Sequence, residues 1–163
     1  MDTISRIRSR MLTAIVIVPV VALAQQTTPP DREGLLKGQG MGLAEIAEIN
    51  NYPGPKHTLD LKNELGLTRD QLKKTEALDK VVASSALAKG EEIVLSEEEL
   101  VKMFEAGTVN EKVLRSKLEE IGKLRADLRF IHLQAHLRMK QILTPDQIKR
   151  YADLRGHEAK HEN

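Results

Sequence analysis

The sequence predicts an all-α protein built on a long antiparallel helical hairpin with short flanking helices. Three observations carry this expectation. Apolar residues recur at helical spacing through two long stretches, with no period-two alternation of the kind a half-buried strand needs. Helix-start signals of the Ser/Thr-x-x-Glu/Gln type recur along the chain. The only aromatic residues are Tyr52, Phe104, Phe130 and Tyr151, and 30% of residues are charged, a composition suited to thin amphipathic helices packed on Leu, Ile, Val and Ala.

In chain order, Arg6, Arg8 and Arg10 precede an apolar run from Met11 to Ala24, and Ala22-Leu23-Ala24 then gives way to polar Gln25-Gln26-Thr27-Thr28. This layout predicts a secretory signal peptide over 1–24, cleaved after Ala24, and hence an exported protein. The run is shorter than the roughly 20 residues a spanning helix needs, so an uncleaved N-terminal anchor is the lesser expectation. Residues 25–51 carry Pro29-Pro30 and Gly34, Gly38, Gly40 and Gly42. They read as a flexible arm with a short helix over 43–49, ended by the bend at Pro53-Gly54-Pro55.

A short helix is expected over 56–65, then a longer one from Arg69 with apolar positions at Leu72, Leu78, Val81, Val82, Ala86, Ile93, Leu100 and Phe104. Gly90 and the internal Ser96-Glu97-Glu98-Glu99 pattern leave open whether it is one helix or two, and Gly107 should end it as the residue beyond the cap. Thr108-Val109-Asn110-Glu111 reads as the next capping box. Leu114, Ile121, Leu128, Ala135 and Ile142 then recur every seven positions, with Leu118, Leu124 and Ile131 widening the stripe for a partner helix. A final helix is expected from Pro145 to about Arg155, and 157–163 reads as a frayed tail. The helical domain thus spans 52–156.

Composition narrows the function classes. Loss of the leader would remove three Arg and one Asp and take the formal charge from +1 to −1, so composition does not suggest a nucleic-acid binder. With no cysteine, thiolate chemistry and disulfides are excluded, and any metal must be held by His, carboxylate or Met. The chain contains no GxSxG, HExxH, phosphate-loop or dinucleotide motif, so a non-enzymatic protein with no required cofactor is expected.

The pattern Leu-Thr-x-x-Gln occurs twice, as Leu67-Thr68-Arg69-Asp70-Gln71 and Leu143-Thr144-Pro145-Asp146-Gln147. In each copy the Thr can cap a helix while the Gln three residues on reaches back. Leu67 with Leu72, and Leu143 with Ile148, have hydrophobic-staple spacing, and Pro145 stands at a first helical position, where its missing N–H costs nothing. Together with LRFIHLQAHLRMKQILTPDQIKRYADLRG, the two copies resemble the LTxxQ group of bacterial periplasmic proteins over roughly residues 52–156. That group comprises the Spy/CpxP-like chaperones and envelope-stress adaptors and the related heavy-metal resistance and sensor proteins.

His132 and His136 are four apart and so share a helix face, the spacing at which two imidazoles can bind one metal ion. They sit about 40° and 80° around the helix from Leu128, on the edge of the apolar stripe. His57, just ahead of the first motif, is the candidate third donor. The metal sensors of the group use a histidine ahead of the first motif, an acidic residue in the next helix, and a histidine followed one turn later by a soft ligand. Residue by residue, the resemblance assigns His57 and His132 to the histidines and puts His136 where a methionine is expected. Met139 is out of register, and Glu64, Glu76 and Asp79 stand equally for the acidic ligand. A second pair, His157 and His161, lies in the charged tail.

The resemblance implies two functions. The leading expectation is an ATP-independent, homodimeric chaperone or stress adaptor, whose partners are unfolded envelope proteins or a membrane-bound signalling protein. The alternative is a sensor or resistance protein binding zinc, nickel, cobalt or copper through His57, His132 and His136.

Overall fold

A computed structural model describes residues 29–161, with side chains placed through residue 156. The signal peptide expected over 1–24 lies outside the described residues, as do the side chains of His157 and His161. The fold is all-α among the described residues. Four short or medium helices, α1 (Arg32–Leu36), α2 (Glu45–Glu48), α3 (Pro55–Asp60) and α6 (Pro145–His161), flank two long ones in close contact, α4 (Arg69–Glu105) and α5 (Glu111–Ile142). No described helix is long and apolar enough to cross a membrane.

α4 is a single helix of 37 residues. Ser96 does not start a new one. It is buried in the middle of α4 and donates to Glu120 Oε1 of α5 at 2.8 Å, so its hydroxyl is used between helices. The end of α4 is set by Gly107, whose φ of 63° is in the left-handed region that favours glycine. Gly107 N–H donates to Phe104 O (3.0 Å) and Thr108 N–H to Met103 O (3.1 Å), a Schellman closure of the last turn. The capping box expected at Thr108 is not what forms. The Thr108 hydroxyl donates back to Met103 O, and Asn110, extended at φ −131°, caps α5 by accepting from Val113 N–H at 3.1 Å. An Asx cap is as effective as a Thr cap, and Thr108 is already committed to the preceding turn.

The long helices are tied by Lys117–Glu99 (2.7 Å), Arg125–Glu97 (2.8 Å) and Lys89–Asp127 (4.0 Å). Two apolar clusters lie along them. One joins Ala86, Ile93, Val94 and Leu128 with Leu35 of α1. The other joins Leu78, Ala135, Met139 and Leu143, with Leu67 and Ile148 packed against it.

Residues 29–51 depart from the expected flexible arm. Leu35 is 1% exposed within the first cluster, and α1 lies against α4. The glycines that suggested mobility allow close packing instead. A Cβ at Gly90 would collide with the Leu35 carbonyl, so α1 sits in a notch that only glycine leaves open.

Candidate functional site

The two LTxxQ copies meet. Thr68 and Thr144 each form the full capping box: Gln71 N–H donates to Thr68 Oγ1 (3.2 Å) and Thr68 N–H to Gln71 Oε1 (3.0 Å), with 3.3 and 2.9 Å for the equivalent bonds of Thr144 and Gln147. The two glutamine amides also bond to each other, Gln71 Nε2 to Gln147 Oε1 at 2.8 Å and Gln147 Nε2 to Gln71 Oε1 at 3.1 Å. Each Nε2 then donates its second proton to a backbone carbonyl near the opposite motif, Gln71 to Ile142 O (2.9 Å) and Gln147 to Leu65 O (3.2 Å). Both amides use two donors and two acceptors, their full capacity. The motif is therefore a clasp joining the starts of α4 and α6.

A cavity of about 780 Å³ opens on the side of the long helices covered by the N-terminal segment. His57, His132 and His136 all line it, together with Asp79, Glu45, Glu48, Gly40 and Gly54. Of the three acidic candidates read from sequence, Asp79 faces this cavity, while Glu64 and Glu76 are not among its lining residues.

His132 and His136 are brought in by consecutive turns of α5, both on its buried face. His136 Nδ1 is 2.7 Å from Tyr52 O, an acceptor only, so Nδ1 donates there and Nε2 is the nitrogen that carries the lone pair in the neutral ring. Tyr52 is itself held by the Lys140 ammonium, 3.9 Å from its ring centroid. A Cβ at Gly54 would come within 2.9 Å of His136 Cε1 and 3.1 Å of Glu48 Oε1, so the bare backbone there lets imidazole and carboxylate approach.

His132 is 9% exposed, and its Nε2 is buried with no hydrogen-bond partner among the described residues. Buried polar atoms are nearly always satisfied, so this nitrogen stands out among the side chains of the site. Burial, and secondarily the neighbouring His136, hold the His132 imidazole below its usual pKa. The neutral form, which is the one that binds metal, is thereby favoured. His57 enters from α3, with Nε2 3.5 Å from Glu48 Oε1 and Nδ1 3.8 Å from Asp60 Oδ2. Glu48 also reaches Arg155 of α6 at 3.5 Å. Beside it, Gly54 N–H donates to the buried Tyr151 hydroxyl at 3.5 Å. Burial, then Glu48, pushes the Tyr151 phenol up to about 12.

Three imidazoles with carboxylates and no thiol suit a borderline divalent ion such as zinc, nickel, cobalt or copper. The donors share a cavity without being drawn to ligand spacing: among the described residues no group of three His, Cys, Asp or Glu is arranged to hold a metal ion. Glu48 and Asp79 are the carboxylates closest in role. No local pattern points to Glu48, because its place depends on the fold of residues 29–51. No family model, curated protein or solved structure matches the chain.

Proposed function

We propose that the protein is a periplasmic, non-enzymatic metal-responsive protein of the LTxxQ type, in which His57, His132 and His136 hold a divalent transition metal with help from Asp79 or Glu48. The observation that carries this reading is that His57, far in sequence from His132 and His136, lines one cavity with them, Asp79 and Glu48. The Tyr52 carbonyl supports it further, by fixing the His136 tautomer as a hydrogen bond behind a metal ligand does. A bound ion would offset the carboxylates and join α3 to α5, shifting helix packing for a partner to read. In this reading α4 and α5 form an antiparallel hairpin that pairs as a homodimer.

Calorimetric titration of zinc, nickel, cobalt and copper into the protein tests it. Binding of at least one ion, lost in His132→Ala/His136→Ala, is expected. Equal binding by parent and double variant would assign the metal elsewhere.

A holding chaperone is favoured by a different observation. Leu95, Phe104, Phe130 and Leu137 are all more than half exposed on the long helices, where they offer apolar contact to unfolded chains. Suppression of aggregation of several unrelated clients without ATP is its test.

A further inference from the structure

The α4–α5 pair has two grooves, and the chain covers one of them with its own helix α1. The contacts that seat α1 are few. Its N-cap residue Asp31 accepts two bonds from the Arg125 guanidinium of α5 (2.8 and 3.4 Å). One turn on, Leu35 is buried among Ala86, Ile93 and Leu128 of the long helices. A carboxylate on an α5 arginine and a leucine four residues later thus hold a short helix in this groove.

The opposite groove offers the same two features and is open. Arg138 lies about 140° around α5 from Arg125. Beside it a hollow of about 350 Å³ runs along Lys74, Ala77, Val81 and Ile142. It continues into a smaller one of about 60 Å³, where Ile131, Ala135 and Ser85 join Leu78 and Val81. Every residue lining the two belongs to α4 or α5. Leu78 and Ala135 are part of the second core cluster, while Val81 above them is 53% exposed. The core therefore reaches this surface with no covering helix among the described residues.

Charge decides what kind of cover fits. No carboxylate lines either hollow. Lys74 is paired with Asp70 on the rim (2.6 Å), but Arg138 makes no hydrogen bond or ion pair among the described residues. Farther along the same two helices the basic residues are matched, Lys89 by Glu92, Lys117 by Glu99 and Lys123 by Asp127. An unmatched guanidinium at the edge of an apolar groove suits a carboxylate, which it can hold through two parallel bonds.

We propose that the open α4–α5 groove beside Arg138 is a docking surface for a short acidic amphipathic helix of another protein. Its carboxylate pairs with Arg138, and a leucine one turn away covers Leu78 and Val81, as Asp31 and Leu35 do in the covered groove. Apolar anchors at i and i+4 are the usual mode of helix-in-groove recognition. From Lys74 to Ser85, and from Ile131 to Ile142, each long helix presents about 16 Å, so the ligand is a helix of about three turns.

The test uses the full chain and two helix-stabilised peptides of about 14 residues. They share the same leucines and differ only in the residue one turn before the first leucine, Asp in one and Lys in the other. Fluorescence anisotropy gives the affinities and amide chemical shifts give the site. The acidic peptide should shift Val81, Ile131 and Ile142 and leave Ala86 and Leu128, beneath α1, unchanged. The lysine peptide should bind at least about tenfold more weakly. Arg138→Glu should reverse the order of the two peptides, which loss of folding cannot produce. Equal binding of both peptides, binding of neither, or shifts confined to Leu95 and Phe104 would overturn the proposal. Shifts at Ala86 and Leu128 would also do so, by showing that the peptide displaces α1. Phosphatidylglycerol vesicles that shift Val81 and Ile131 where neither peptide does would give the groove to a lipid surface instead. A dimer that Arg138→Glu dissociates in sedimentation would give it to a second copy of this chain, and either result overturns the acidic helix.

Discussion

Gln71 and Gln147 stand 76 residues apart in sequence and exchange a pair of amide hydrogen bonds at 2.8 and 3.1 Å. Each therefore caps its own helix and clasps the other's. The side-chain oxygen of each accepts from its own Thr N–H and from the opposite amide, so neither bond can be removed without orphaning a group in the other motif.

Truncation of either glutamine should accordingly cost about 1 to 3 kcal/mol, the range for leaving polar partners unsatisfied. Gln71→Ala/Gln147→Ala should lose less than the sum of the singles, with a coupling of about 0.5 to 3 kcal/mol. Urea melts of the four proteins measure this. Strict additivity would show that the two motifs do not act as a unit.

Thr68→Ala and Thr144→Ala should each cost on the order of 1 kcal/mol through loss of an N-cap. The melting midpoint should fall while the far-ultraviolet spectrum stays helical at low temperature. Unchanged midpoints with lost metal binding would make the motif a functional surface rather than a cap.

Leu35→Ala removes the fully buried apolar side chain that seats α1 against α4. Large-to-small changes of this kind cost about 2 to 5 kcal/mol. Here the loss should appear as fast exchange of amides 35–45 with α4 and α5 still protected. Cooperative loss of the whole fold would show that the N-terminal segment is not a separable element.

The Asp31–Arg125 ion pair should also respond to acid. The Arg125 hydrogen bond holds the Asp31 carboxyl below its ordinary value of 3.8. A depressed folded-state pKa contributes stability that is complete above the unfolded value and lost as pH falls through the folded one. Exchange protection of amides 35–45 should therefore be constant from pH 7 down to about pH 4 and decline below it. The carboxyl is partly solvent-exposed, so the change should be modest. Asp31→Asn should remove this step from the profile. An identical acid decline in that variant would place the responsible group elsewhere.

Much of this was legible in the residues. Helical periodicity located α4 and α5, and the Thr and Gln of each LTxxQ copy located the starts of α4 and α6, because both signals are local. The histidines at 132 and 136 could be put on one face for the same reason. What eluded sequence reasoning depends on distant partners. The glycine-rich stretch around Leu35 reads as mobile until Gly90, more than fifty residues on, is seen to leave a notch for it. The same long-range packing is what brings Glu48 to His57 and the Tyr52 carbonyl to His136. Thr108 reads as a cap because Thr-x-x-Glu and Asn-Glu overlap there, and local pattern does not say which turn the threonine joins. Neither capping box, taken alone, suggests that its glutamine has protons left to give to the other.

The central claim is that the histidine cavity binds a divalent ion, and the ring nitrogens themselves report on it most directly. In a long-range proton–nitrogen correlation spectrum recorded during zinc titration, Nε2 of His132 and of His136 should move together to the metal-bound region at one equivalent. Nδ1 of His136 should remain protonated against Tyr52 O. Movement confined to His157 and His161, with His132 unchanged, would contradict the account.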